Sequence, residues 1–439
     1  MASSDSNSIF KKFIGDSGLI LAMSVGSRGM LLIKEIVIAS LIGLNADLDA
    51  FYLAILIPGY LVVSLTNPLG PVFIAELNSK SANQDIFINR ILTYLFLGLT
   101  AVSVLYYGVI PLFEKAYSIT PEQGDLFRTI SVIYIPVIVI QGISNYLLAY
   151  LENQRHFFLT SLGAIIQSLT ILLFVYLNAE VLSLGLGMLV GIMLFLIVQL
   201  IIIKKGGKVK LKFSLKGESF SVKFKKEYLW LFLASFSMGA TLVVDQYMAS
   251  YFDSSSVSAL NYGYKIATML AGVGALALGA VSMPYFSQLM VSNAVVEVRL
   301  VLKKILILIF AIGLPVVALV YFYSDLIISL VFERGKFSMQ NVTLVAAFLS
   351  WYILQLPFYI GGVVLSRLLS AMNKTKVLFL FSFCGLSLNI ILNLVFTQIW
   401  GVAGIALSTS CVYGFTFVSL LIVSLYYLQI LIKSINTAN

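Results

Sequence analysis

Charge is what this chain has least of. Asp, Glu, Lys and Arg together make up 11% of 439 residues, against roughly 25% in soluble domains. So few charges cannot cover a water-facing surface, which excludes an ordinary soluble protein. Histidine occurs once, at His156, and cysteine twice, at Cys384 and Cys411, both inside hydrophobic runs. Neither a structural disulfide nor a Cys/His metal centre is expected from so few ligands. The chain also lacks a P-loop and any paired acids placed for general acid/base work. Bond-breaking chemistry and nucleotide-driven pumping therefore have nothing to carry them, and no organic cofactor is expected.

Hydrophobic residues, in contrast, make up 60% of the chain. Twelve runs are long enough to cross a bilayer as helices, at about 17–42, 50–77, 86–112, 126–150, 158–178, 181–204, 227–252, 258–288, 300–325, 341–370, 377–399 and 401–432. The fold class is an all-α polytopic membrane protein. The first run is long, contains charges and lacks a small-residue cleavage site, so it reads as a span and not as a signal sequence.

Lysine and arginine set the orientation. With a cytoplasmic N-terminus, the inner loops hold Lys11, Lys12, Lys80, Arg90, Arg155, Arg299, Lys303, Lys304, Lys374, Lys376, Lys433 and nine lysines between 204 and 226. The outer loops hold only Lys115, Arg128, Arg334 and Lys336. Both termini are expected in the cytoplasm. The net charge of +9 mostly reflects the 204–226 loop and does not point to nucleic acid. Residues Lys208 to Phe213 alternate basic and apolar, which suits either contact with anionic lipid or a solvated linker.

That loop divides the chain into an N-lobe (1–204), a basic linker (205–226) and a C-lobe (227–439). Six spans per lobe put both lobes into the membrane from the same side, as a parallel repeat. Three pairs echo it at offsets of 210 to 214 residues: Phe10-Lys11-Lys12 with Phe224-Lys225-Lys226, Lys34-Glu35 with Asp245, and Pro71 with Pro284. A bundle of two matched lobes usually holds its site between them. Pro58, Pro68, Pro71, Pro136, Pro284, Pro315 and Pro357 allow bending, and Gly187-x-x-x-Gly191 allows close helix contact.

Six ionisable residues stand out among those inside the spans: Arg28, Lys34, Glu35, Asp245, Lys265 and Arg367. Each costs at least about 3 kcal/mol near the bilayer centre unless it has a partner, a wet cavity or a function. Four of the six are cations, which points to a cavity for an anion. Arg28 has no adjacent acid, and its planar fork suits a phosphate. Lys34 and Glu35 can instead neutralise each other, and Lys265 can pair with Asp245 or snorkel. Arg367 is expected to snorkel. In the eleventh span, Asn389 and Asn393 share a face, with Thr409 in the next helix. Their oxygens could bind a small cation or simply bond helix to helix.

Ser27-Arg28, Lys34-Glu35, Asp49-Ala50-Phe51 and Ile57-Pro58 resemble the opening of the MurJ/MviN family, in the multidrug/oligosaccharidyl-lipid/polysaccharide exporter superfamily. Further matches are Phe332-x-Arg334-Gly335-x-Phe337, Leu356-Pro357, Lys374-Thr375-Lys376-Val377, Leu388-Asn389-x-x-Leu392-Asn393 and Gly401-x-x-Gly404-x-Ala406-Leu407. The resemblance implies a V-shaped, two-lobed flippase that moves polyprenyl-diphosphate-linked sugars to the outer leaflet around a cationic cavity. It implies diphosphate binding by Arg28, Lys34 and Lys265, while Glu35 and Asp245, read from the residues themselves, are the acids in the spans that could form a charge network and take part in coupling. It also implies a sodium ion, held in some members by residues corresponding to Asp245, Asn389, Asn393 and Thr409. Leu56, Val62-Val63 and Asn67-Pro68-Leu69-Gly70 depart from the family pattern, where basic residues and a Glu-Gly-Ala-Phe-like stretch are usual.

The expectation is an inner-membrane flippase for lipid II or a surface-polysaccharide repeat unit, coupled to a cation or the membrane potential and acting as a monomer among membrane lipids. A drug/cation antiporter of the MATE type would favour acids in its cavity. A membrane glycan ligase or polymerase would need larger outer loops.

Overall fold

The computed structural model describes residues 23, 25–79, 84–117, 119–154, 156–207, 209–216, 220–291, 295–372 and 374–438. Phe10, Lys11, Lys12, Lys80, Arg155 and Lys208 lie outside the described residues, and so does the side chain of Pro284. Among the described residues, every regular element is helical.

Helix α1 covers 25–42 and stops where Gly43 takes a φ of +75°. Asn45 then caps α2 (Ala46–Thr66), its side chain accepting the Leu48 N–H at 2.8 Å. Pro68 interrupts this span, and α3 (Leu69–Ser79) carries it on. The first half is completed by α4 (Gln84–Ala116), α5 (Pro121–Asn153), α6 (Phe158–Leu177) and α7 (Val181–Gly206). The second half contains α8 (Val222–Ala249), α9 (Ser256–Val291), α10 (Val295–Phe322), the short α11 (Ser324–Phe332), α12 (Met339–Tyr352), α13 (Leu356–Ala371), α14 (Thr375–Trp400) and α15 (Gly404–Ala438). A single 3-10 turn, Ile353–Gln355, joins α12 to α13 just before Pro357, so together they form one bent span.

Nine of the described stretches are long and apolar enough to cross a membrane, and one of these, Thr375–Lys433, contains both α14 and α15. With the charged α1 and the 36-residue α9, the spans number twelve. Of the prolines named above, Pro68 and Pro357 sit at breaks, whereas Pro58, Pro136 and Pro315 lie within continuous helices. Leu105, Leu112, Ile312, Leu319 and Ile422 remain exposed. An apolar belt of this kind suits hydrocarbon and would be a liability in water.

The two halves pack alike. In the first, the second span packs on the fourth (α2 on α5), and the sixth packs on the fourth and fifth (α7 on α5 and α6). In the second half, α9 packs on α12 and α13, and α15 packs on α13 and α14. Small residues permit the closest of these approaches. A Cβ on Gly187 would come within 2.7 Å of the Ile171 backbone, and one on Gly191 within 2.9 Å of the Gln167 Cα, so only glycine lets α7 lie this close to α6. Buried polar groups join helices too: Ser144 Oγ donates to Gln199 Oε1 at 3.0 Å, and Gln199 Nε2 donates back to the Ser144 carbonyl at 3.1 Å.

The basic linker lies along α4. Asn89 donates to the Lys210 carbonyl at 2.9 Å and accepts the Lys212 N–H at 2.7 Å, while Thr93 Oγ1 accepts the Ser214 N–H at 2.8 Å. This satisfies an extended backbone without a sheet. It buries Val209 and leaves Lys210 and Lys212 exposed, so the alternation marks a docked edge and not a free tether.

Candidate functional site

The halves meet along α1, α2, α8 and α9, and what they hold between them depends on which side chains these helices turn inward. At the Asp49 end, the Asp49 carboxylate accepts two backbone N–H groups across the boundary, from Ser255 and Ser258, both at 2.7 Å. This caps the N-terminus of α9, where a negative charge is favoured. Ser255 takes a φ of +76°, unusual for a residue with a side chain. The Lys336 N–H donates to the Ser40 carbonyl at 2.8 Å, and Tyr251 OH donates to the Ala116 carbonyl at 2.7 Å. Toward the Asn67 end, Tyr60 OH reaches the Phe236 carbonyl at 2.8 Å and Tyr228 OH the Leu65 carbonyl at 3.0 Å.

Between these contacts lies a cavity of about 780 Å³, lined from both halves. Its charged corner contains Lys34, Glu35 and Lys265. Glu35 accepts Lys34 Nζ on Oε1 and Lys265 Nζ on Oε2, each at 2.9 Å. Lys265 also donates to Tyr52 OH at 2.9 Å and lies 4.8 Å from that ring's centroid. One carboxylate thus serves two ammonium groups, and the corner keeps a net positive charge. Exposure shows where that charge is available: the Glu35 side chain is 7% exposed, against 16% for Lys34 and 31% for Lys265. The acid is sealed behind the cations, and the cations face the open space.

Arg28 lies elsewhere. Its guanidinium donates to the Met269 and Gly272 carbonyls of α9, at 3.3 and 3.4 Å, and it does not line the cavity. Gly272 makes room for it, since a Cβ there would sit 2.6 Å from Nη1. Lys265 pairs with Glu35 and not with Asp245, and Arg367 is exposed.

Asp245 belongs to a separate, fully buried cluster. Asn389 and Asn393 donate to its Oδ1 at 3.0 and 2.7 Å, and Thr409 Oγ1 donates to Oδ2 at 2.6 Å. Helices α8, α14 and α15 therefore bring together the four residues that the sequence scattered over 165 positions. Among the described residues, no group of three or more His, Cys, Asp or Glu side chains is placed to hold a metal. Cys384 and Cys411 are free thiols.

Sequence reasoning assigned no role to Tyr52, Gln246 or Asn261, all of which line the cavity. Asn261 precedes Lys265 by four residues on α9 and so shares its face, a signal that was there to use.

A family model described as "Lipid II flippase MurJ" matches residues 38–436. A probable lipid II flippase MurJ from Rhizobium tropici is 24% identical over 420 residues, covering 91% of this chain and 78% of the relative. Its counterpart from Thermotoga maritima is 25% identical over 412 residues, covering 91% and 84%. A solved structure described as lipid II flippase MurJ in an inward closed conformation superposes with a TM-score of 0.79 at 25% identity, covering 92% of this chain and 87% of that one. An inward-facing MATE transporter of the MOP superfamily gives a TM-score of 0.75 at 13% identity, covering 94% and 99%, a likeness of fold alone.

Proposed function

Because the chain belongs to the lipid II flippase MurJ family, a family of transporters and not of enzymes, we propose that it carries a polyprenyl-diphosphate-linked saccharide across the bacterial inner membrane, either lipid II or a surface-polysaccharide repeat unit. The observation that carries this reading is the charged corner: two partly open ammoniums share one sealed carboxylate, beside a cavity large enough for a headgroup. Lys34 and Lys265 are the groups to hold the diphosphate. A carrier of cationic drugs would need the reverse balance of charge.

With both termini in the cytoplasm, the Asp49 end faces outward. Transport then proceeds by the halves rocking apart at one end while closing at the other. Opening outward would break the bonds from Asp49 to Ser255 and Ser258 and release Arg28 from the α9 carbonyls, freeing its fork to follow the phosphate. The Asp245 cluster suits a small hard cation such as sodium, because its carboxylate, amide and hydroxyl groups carry the oxygen atoms that such an ion takes as ligands. Asn393 Oδ1 is buried without a hydrogen-bond partner among the described residues, an acceptor left available in an otherwise satisfied cluster. A cation there would neutralise Asp245, and Asn389, Asn393 and Thr409 would hold it by their oxygens. Because α14 and α15 meet α8 at this cluster, its occupancy would bias the position of α8, which also packs on α2.

The test is leaflet exchange in proteoliposomes, with lipid II and a repeat-unit lipid supplied side by side. At least one should move, and Lys34→Ala with Lys265→Ala should abolish that movement. Failure of both lipids to move, with both lysines dispensable in cells, would overturn the proposal.

A further inference from the structure

Among the described residues lining the cavity, only one corner is charged. The remaining polar lining is made of neutral amides and hydroxyls, among them Asn145, Gln167, Gln246 and Asn261, and Tyr264 and Tyr359 line the same cavity. Two of the amides have bonding capacity left over. Gln246 is 3% exposed and donates through Nε2 to Asn261 Oδ1 at 3.1 Å, yet its Oε1 is buried without a partner among the described residues. Its neighbour Asp245 turns to α14 and α15, while Gln246, about 100° further round α8, lines the cavity. Asn261 ties this amide to the charged corner, since it lies one helical turn before Lys265 and is anchored by Nδ2 to the Val257 carbonyl at 2.8 Å. On the other half, Gln167 of α6 lines the cavity, and its side-chain amide bonds to no described residue.

Each choice of ligand meets a different fate on such a wall. A hydrocarbon chain would leave the Gln246 oxygen unpaired and dry. A drug cation would find no acid except Glu35, which is already held by two lysines. A polyhydroxylated group presents donors and acceptors together, which amides match because they carry both. The C–H faces of its rings can lie on tyrosine.

We infer that the cavity contains a glycan-reading wall, in which Gln246 and Asn261 on one half and Gln167 on the other hydrogen-bond the neutral hydroxyl and amide groups of a saccharide. This rests on the reading above, in which Lys34 and Lys265 hold the diphosphate. The wall sets which sugars are carried, and the charged corner sets that a lipid diphosphate is carried at all.

The experiment uses the full-length protein in proteoliposomes and two fluorescent probes: a polyprenyl diphosphate bearing an N-acetylated disaccharide, and the same polyprenyl diphosphate without sugar. Gln167→Leu should slow the glycan-bearing lipid about 3- to 10-fold, as expected for one neutral hydrogen bond, and leave the sugar-free carrier unchanged. Gln246→Leu should act in the same direction. Gln167 is only half-buried and has no protein partner to lose, so its variant decides the matter even if Gln246→Leu does not fold. Equal slowing of both probes by Gln167→Leu, or no slowing of either, would overturn the inference. A wild-type protein that moves neither probe would instead sink the proposed function, and the glycan wall with it.

Discussion

Glu35 and Lys265 stand 230 residues apart in the chain and 2.9 Å apart in space, one on α1 and the other on α9. Their pair crosses the boundary between the halves and forms the rear of the charged corner. Because Lys34 holds the other oxygen of the same carboxylate, no substitution here acts on one bond alone.

Glu35→Gln should destabilise the fold and not merely alter transport. It removes the acid that two ammoniums share, leaving them as like charges in a half-dry site. Breaking a sealed ion pair costs about 3–5 kcal/mol. The wet side of both lysines lowers the expectation to roughly 1–3 kcal/mol. Thermal unfolding in detergent reads this directly, and Glu35→Gln combined with Lys265→Gln should recover part of the loss. An unchanged melting temperature in the single variant would count against a shared carboxylate.

Asp49→Asn should loosen the closure at its end of the bundle. The amide retains one acceptor oxygen where the carboxylate offered two, so one of the Ser255 and Ser258 N–H groups loses its partner. Loss of a charge-assisted bond of this kind is worth about 1.5–3 kcal/mol. With Cys384 and Cys411 replaced, a cysteine at the buried Val257 should react with a water-soluble maleimide at least several-fold faster in the Asp49→Asn protein. Equal rates would mean that this contact does not limit opening.

Asp245→Asn should separate stability from coupling. The substitution takes a charge out of a site that is 2% exposed but turns an amide N–H toward one of the donors that Asp245 accepts, and because the two effects oppose each other the melting temperature should change little. Transport should fall and lose its response to an imposed sodium gradient. A variant that transports normally and keeps that response would remove the cluster from the mechanism.

The twelve spans were legible because a bilayer leaves little choice: backbone groups in hydrocarbon must bond within their own segment, and that demand shows as long apolar runs. The polar face of Asn389 and Asn393 was legible for a related reason, since the two share a helix face and have little else to do in oil, whereas Asp245 was tied to it only by the family resemblance. The course of the linker was not legible. Lys208 to Phe213 alternates in the same way whether it meets lipid, water or protein, and only the side chains of Asn89 and Thr93, more than 100 residues earlier, decide among these.

The sequence alone determined which runs are long and apolar enough to cross a membrane, and that four of the six charges singled out inside them are cations. These follow from local composition and from the cost of polarity in oil. Which charge meets which was decided only by the tertiary structure. Arg28, the cation without an adjacent acid, rests on two carbonyls of α9, while Lys34 and Lys265 share Glu35 at the edge of the cavity. Partners of this kind depend on how helices rotate and cross, and rotation is set by the sum of many weak packing contacts that no single stretch of chain encodes.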